Sequence, residues 1–318
     1  MSFQNLIDTK WLPLLAKVYV VAVISLGAGV ALCENEKNIN SYSTYDVDWE
    51  PFKKHRVLHR LYTKLHENKA PSLLDLKQRT TIINTIMQRQ PDYLDGYWMA
   101  AEKYLEYGSA FDSGDKERYV RSLFEKSRRY ANLCLQKKPD HALCKFFLGA
   151  AIGKLATIDG VMSSLSKAKK IESLWLEVIE SRVNHKFWNG ASLQGLTHYG
   201  LGMFHRLIPD FFLIRWTFGL DTDISRAVAY HERAIEIDGG GGTCYTLMLA
   251  AAKLCRDVGS DRGDSLKRLQ LLSERTSASR GERVCLEGAK SLHSNPANAC
   301  GYTIAKVQDL DESQIKKK

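Results

Sequence analysis

Chemistry in this chain would have to come from histidines, cysteines, one glycine run or one arginine-bearing aromatic stretch. The nine histidines are scattered along the 318 residues. His55 and His59 are spaced i, i+4 on a predicted helix, where two metal ligands fit, yet no downstream glutamate or third histidine completes a zinc set. His198 and His205 are seven apart on one helix face, with no serine or cysteine at a strained turn beside them. The run "GGGG" at 239–242 lacks the Lys-Ser/Thr that follows the glycines of a phosphate loop, and reads as a helix terminator. No CxxC pair and no Cys/His cluster with zinc spacing appears, so neither catalytic residues nor a metal nor a cofactor is assigned. The expectation is a protein that binds rather than catalyses.

The cysteines offer bridges instead. Cys134 and Cys144 flank Pro139 at five residues either side. Positions equidistant from a turn between antiparallel helices face one another, which makes Cys134–Cys144 a candidate disulfide. Cys285 and Cys300 flank "HSNP" at 293–296 in a similar way and form a second candidate. Cys244 and Cys255 share one helix about three turns apart and cannot pair with each other. The alternative for all of them is a buried thiol acting as a small apolar side chain.

The stretch "LIPDFFLIRWTFGL" at 207–220 is the densest concentration of binding chemistry. Pro209 donates no backbone hydrogen bond and disfavours helix at Ile208, so the helix before it ends there. Phe211, Phe212, Trp216 and Phe218 follow, with Arg215 among them. Either the segment plugs the core, with Arg215 meeting helix-end carbonyls or pairing with Asp210 or Asp221, or it lines a groove for an apolar ligand or partner helix. In the second case Arg206 or Arg215 would orient an acidic group on the ligand.

The elements that position these residues are helices. Ala, Leu, Lys, Arg and Glu abound and prolines number seven. "DISRAVAYHERAIEID" at 223–238 is the clearest, with Ile224, Ala227, Val228, His231, Ala234 and Ile235 on one stripe. Asp223 caps it and Gly239 to Gly242 end it. The next helix, "TCYTLMLAAAKLCRDV", is apolar on most sides and should be buried. Val57, Leu58, Leu61 and Leu65 form a stripe further upstream, as do Tyr93, Tyr97, Ala100, Ala101 and Tyr104. "MQRQPDYLDGYW" and "LQKKPDHALCKF" repeat one junction, with Pro-Asp pairs 48 residues apart. Such recurrence predicts tandem helical hairpins, each closing the apolar face of its neighbour.

Four regions follow: an N-terminal signal or anchor at 1–33, a linker at 34–50, helical repeats over 51–305 and a charged flexible tail at 306–318. Residues 18–33 carry no charge, with Lys10 and Lys17 before them and Glu34 and Glu36 after. As a helix that run spans roughly 24 Å, shorter than a ~30 Å hydrocarbon core. Three fates are open: cleavage after Ala31, lipidation at Cys33, or an uncleaved anchor lengthened by "WLPLLA". All three place the chain outside the inner membrane. The net charge of +9 is spread over short basic runs such as "KSRR" and "KAKK", which read as solvated helix faces and exclude a nucleic-acid partner. Weak attraction to an anionic membrane surface accounts for the same charge.

"AVAYHERAIEIDG" is similar to the second helix of a tetratricopeptide repeat, through Ala227, Ala234, Ile235, Ile237 and Asp238, with His231 where an aromatic is usual and Gly239 in place of the terminal proline. Over about 195–240, "GLGMFHRLIPDFF" followed by "GLDTDISRAVAYHERAIE" resembles the T component of tripartite ATP-independent periplasmic transporters. Gly200, Gly202, Arg206, Leu207, Pro209, Phe211, Gly219 and Asp221 carry the resemblance; Ile208 and Thr222 depart from it. It implies an all-α solenoid of tetratricopeptide-like hairpins, periplasmic and often lipid-anchored, that assists a solute-binding subunit and presents an apolar channel or groove. Its partners would be that subunit or another envelope protein, an apolar or acidic small molecule, the membrane through the N-terminus, or a second copy. The alternative is an envelope scaffold for protein partners without a small-molecule ligand.

Overall fold

A computed structural model describes residues 42–68, 70–111, 116–240, 242–277, 280–304 and 306–311. The apolar run at 18–33 and Cys33 lie outside them. Among the described residues the chain is all-helical apart from two two-residue strands, β1 (Ser43–Thr44) and β2 (Val183–Asn184), which pair in parallel. The helices are α1 (Glu50–Lys53), α2 (Arg56–Glu67), α3 (Leu73–Arg89), α4 (Leu94–Ser109), α5 (Glu117–Lys137), α6 (Ala142–Asp159), α7 (Ala168–Ser181), α8 (Leu193–Leu207), α9 (Phe212–Phe218), α10 (Ile224–Ile237), α11 (Thr243–Arg256), α12 (Asp261–Ser273) and α13 (Arg280–Ser294). Among them no helix is long and apolar enough to cross a membrane.

Local chemistry sets the ends. Ser72 Oγ accepts the Asp75 amide at 3.1 Å while the Asp75 carboxylate accepts the Ser72 amide at 2.8 Å, a reciprocal cap that starts α3. Asp223 accepts the Ser225 amide at 2.7 Å and starts α10. That helix ends where Gly239 and Gly240 take positive φ, and the Gly240 amide reaches back to Ile235 O at 2.9 Å.

Short connections turn the chain back after each helix, and neighbours in sequence from α3 to α8 and from α10 to α13 touch. A second set of contacts gives the stacking: α4 touches α6, α6 touches α8, α8 touches α11 and α11 touches α13. These five form one layer, with α5, α7, α10 and α12 forming the other, as in a solenoid of stacked hairpins. Close approach is made by rings seated on glycines. Trp175 of α7 lies over both Gly149 of α6 and Gly200 of α8, where an added Cβ would come within 2.5 and 2.9 Å of its indole. His231 of α10 covers Gly202 in the same manner, at 2.7 Å. Side chains, not a neighbouring backbone, fill the places beside Gly200 and Gly202.

Three expectations are corrected. Val57 and Leu61 of α2 are exposed, and Tyr62, Leu65 and His66 form its buried face, where the Phe52 ring packs tilted against Tyr62 with centroids 4.9 Å apart. Part of the predicted linker is folded, since residues from Ser43 onward belong to the folded unit. The Ser43 amide donates to Arg182 O at 2.9 Å, and the Tyr45 hydroxyl donates to Asp95 inside the helices. The predicted tail is also partly built in. Gln308 Nε2 donates to Thr157 O at 3.2 Å and its Oε1 accepts the Val161 amide at 3.3 Å, which fastens 306–311 to the end of α6.

Among the described residues three disulfides are formed: Cys134–Cys144, Cys244–Cys285 and Cys255–Cys300. The first joins the positions equidistant from Pro139. Cys285 and Cys300 are not bonded to each other. After α13 the short 3₁₀ turn Pro296–Asn298 carries the chain onward instead of folding it back along the helix. Cys285 therefore meets Cys244 near the start of α11, and Cys300 meets Cys255 near its end. The two bridges bolt α11 to α13 and to the segment that follows it.

Candidate functional site

The predicted binding residues separate into an inner and an outer group. Arg206 sits in the last turn of α8 and is 2% exposed. Its Nη1 donates to Ala299 O at 2.5 Å and Cys300 O at 3.0 Å, and its Nη2 to Tyr302 O at 2.8 Å. The thioethers of Met203 and Met248 complete its surroundings, and Nε has no partner. Among the described residues no carboxylate lies within ion-pair distance of it. Burial holds its pKa down at about 10. The guanidinium fastens the chain's own C-terminal segment to α8, so this flank of α8 is occupied by residues 299–302.

The outer group lies on α9. Ile208 caps the end of α8, Pro209 is half-buried and Asp210 is exposed. Gly219 ends α9 in the left-handed region with φ 63°. Ile214 is fully buried and roots the helix against the 3₁₀ turn Met162–Lys167. Phe211 and Phe218, at its two ends, are half-buried. Phe212 and Trp216, four residues apart on one face, are 81% and 76% exposed, and Leu213 beside them is 40% exposed. Neither the core plug nor the lined groove expected for this segment describes that geometry. It is an outward-facing apolar ridge on a fixed helix.

Arg215 is exposed and belongs to an ion-pair cluster. Its Nη2 lies 2.6 Å from Asp210 and 3.5 Å from Asp221, and Asp221 also lies 3.5 Å from Arg226. Asp210 and Asp221, the two partners considered from sequence, are thus both engaged. The cluster clamps the turns before and after α9, and the Asp210 hydrogen bond raises the Arg215 pKa further above its ordinary value.

The histidines are distributed as separate structural groups. His198 Nδ1 is 2.8 Å from Gln194 O, and His205 Nδ1 accepts the Asp223 amide at 3.4 Å, both in the buried face of α8. His55 lies 3.3 Å from Arg89 Nη1, while His59 packs against the rings of Trp49 and Phe52. Sequence reasoning missed the outward ridge because seven residues make only two turns, too few for a periodicity to show which side is buried. No protein-family model and no curated protein matches this chain.

Proposed function

We propose that this chain is an exported, non-enzymatic binding protein of tetratricopeptide-like build that works as the auxiliary T component of a tripartite ATP-independent periplasmic transporter. The N-terminal segment holds it at the membrane, by lipid on Cys33 or as an uncleaved helix, and the stacked helices carry the docking surface. The observation behind this reading is the ridge of Phe212, Leu213 and Trp216, which leaves two large aromatics in water on a helix fixed by Ile214 and by the Arg215 ion pairs. Exposed aromatics on a rigid support are the usual anchors of protein interfaces, because little conformational freedom is lost when they are covered. Within this reading the ridge meets the solute-binding subunit. Occupation of the Arg206 flank of α8 by residues 299–302 favours a protein partner on α9 over a small molecule at Arg206.

On this reading a periplasmic solute-binding protein is encoded beside this chain, and the test is the affinity between the two. Phe212→Ala combined with Trp216→Ala should weaken it by about thirty-fold, which corresponds to ~2 kcal/mol at an interface centre. The melting temperature should stay where it was, since both side chains are exposed. Equal affinity of wild type and double variant would remove the ridge as the docking element.

A further inference from the structure

The turn between α5 and α6 gathers a donor set that its linear spacing conceals. Cys134 lies in the last turn of α5, His141 is the residue that caps α6, and Cys144 sits in the first turn of α6. One ring nitrogen of His141 and the two sulfurs lie within 4.8 Å of one another, and all three residues are buried. In the structure the two sulfurs are bonded together.

The state of His141 goes beyond what a neighbouring disulfide requires. Tyr45 gives its hydroxyl proton to Asp95, so the 3.0 Å contact between Tyr45 Oη and His141 Nε2 is made by a proton on Nε2. The neutral ring then carries its lone pair on Nδ1, which is buried without a hydrogen-bond partner. Asp95 at the far end of this relay is fixed by the Asp48 amide at 2.8 Å and the Trp98 indole at 2.8 Å. A histidine aligned through one nitrogen by a carboxylate-anchored chain, with the other nitrogen bare, is the outer-shell arrangement of metal-binding histidines.

We propose that the reduced form of this turn is a zinc site, with Cys134 Sγ, Cys144 Sγ and His141 Nδ1 as ligands and a solvent-derived ligand in the fourth position. A dithiol reductant supplies two electrons: the S–S bond breaks, each sulfur takes one proton, and the reductant leaves as its own disulfide. Zn²⁺ then displaces both thiol protons to solvent and forms two Zn–S bonds and one Zn–N bond. The Cα atoms of the two cysteines are 6.1 Å apart. Zinc-bound sulfurs need a separation of only ~3.7 Å, within reach of side-chain rotation. Two thiolates and a divalent ion sum to zero charge, which suits a buried place. A monovalent soft ion would leave a negative centre near Asp95. The other two disulfides are not part of any such donor set among the described residues.

The test uses the full chain, reduced with a dithiol, freed of it without oxygen, and titrated with Co²⁺ as an optical stand-in for Zn²⁺. The expected result is one equivalent bound with a thiolate-to-cobalt absorption, displaced by Zn²⁺ and absent from the oxidised protein. Asp95→Asn should weaken binding about 10- to 100-fold and His141→Ala at least as much, while the helical circular dichroism of the reduced His141→Ala protein matches that of reduced wild type. Failure of the reduced protein to bind Co²⁺ would overturn the proposal. Binding that His141→Ala leaves unchanged would do so too, whether the reduced chain is folded or not, because the metal would then be held by cysteines alone.

Discussion

Arg206 and Arg215 lie nine residues apart in the same stretch, and the structure predicts opposite consequences for their removal. Arg206→Ala would strip the donors from three carbonyls, at Ala299, Cys300 and Tyr302, and open a cavity between Met203 and Met248. A hydrogen bond from a charged donor contributes about 1.5–3 kcal/mol, and orphaned buried acceptors cost a similar amount. Against this, deleting a buried cation without a carboxylate partner relieves several kcal/mol of desolvation. The balance is a loss of about 3 kcal/mol, which lowers the melting temperature by roughly 6–12 °C for a unit of this size. Arg206→Met restores apolar volume without donors and should recover part of the loss. The assay is a thermal melt followed by circular dichroism, paired with hydrogen exchange across 299–308, whose amides should lose protection first in Arg206→Ala. Arg215→Ala removes only exposed ion pairs and should melt with wild type. An Arg206→Ala protein that melts with wild type and keeps 299–308 protected would refute the assignment of this arginine as the tie of the C-terminal segment.

Burial and the neighbouring Arg206 charge lower the His231 pKa to about 3, and burial lowers that of His205 to about 4. The unfolded chain protonates both near pH 6.5 and the folded chain does not, so their contribution is full above pH 6.5 and shrinks as pH falls towards those values. Each should cost about 1.4 kcal/mol per pH unit, visible as a falling urea midpoint between pH 6.5 and 5; a flat midpoint would contradict the neutral burial. Gly202→Ala would push a methyl to 2.7 Å from the His231 ring and should destabilise by about 1–3 kcal/mol. A cycle with His231→Ala should return most of that loss, whereas additive losses would show that the two residues do not meet. Cys255→Ser with Cys300→Ser opens a 45-residue separation, against 10 for Cys134 and Cys144. Loop entropy predicts losses of about 4 and 3 kcal/mol respectively, read from urea unfolding at pH 7; the reverse order would set the chain-entropy account aside.

What could be read from sequence was what is local. The stripe, the Asp223 cap and the glycine stop of α10 lie within one helix and its two ends, and the structure places that helix at Ile224–Ile237. The Cys134–Cys144 bridge followed from symmetry about one turn. Features set by partners far along the chain were not legible. Tyr45 meets Asp95 and Arg206 meets Tyr302 across separations of 50 and 96 residues, and the segments that carry Tyr45 and Tyr302 have no periodicity of their own. The Cys244–Cys285 and Cys255–Cys300 bridges depend on which helices stack side by side, and no single helix's pattern contains that information.

The outward turn of α9 has the same origin, and α8 explains it. Gly200 receives Trp175 from α7, Gly202 receives His231 from α10, and Arg206 holds the carbonyls of 299–302. Contacts with α6 and α11 take the remaining sides. A helix surrounded in this way has no free flank when the chain leaves it at Ile208. The crossing that follows can root one side chain, Ile214, against the turn at Met162–Lys167. With Ile214 inward, helical geometry sends Phe212 and Trp216 outward together. Among the described residues their exposure thus follows from the saturation of α8, which leaves the crossing no second flank to bury them against.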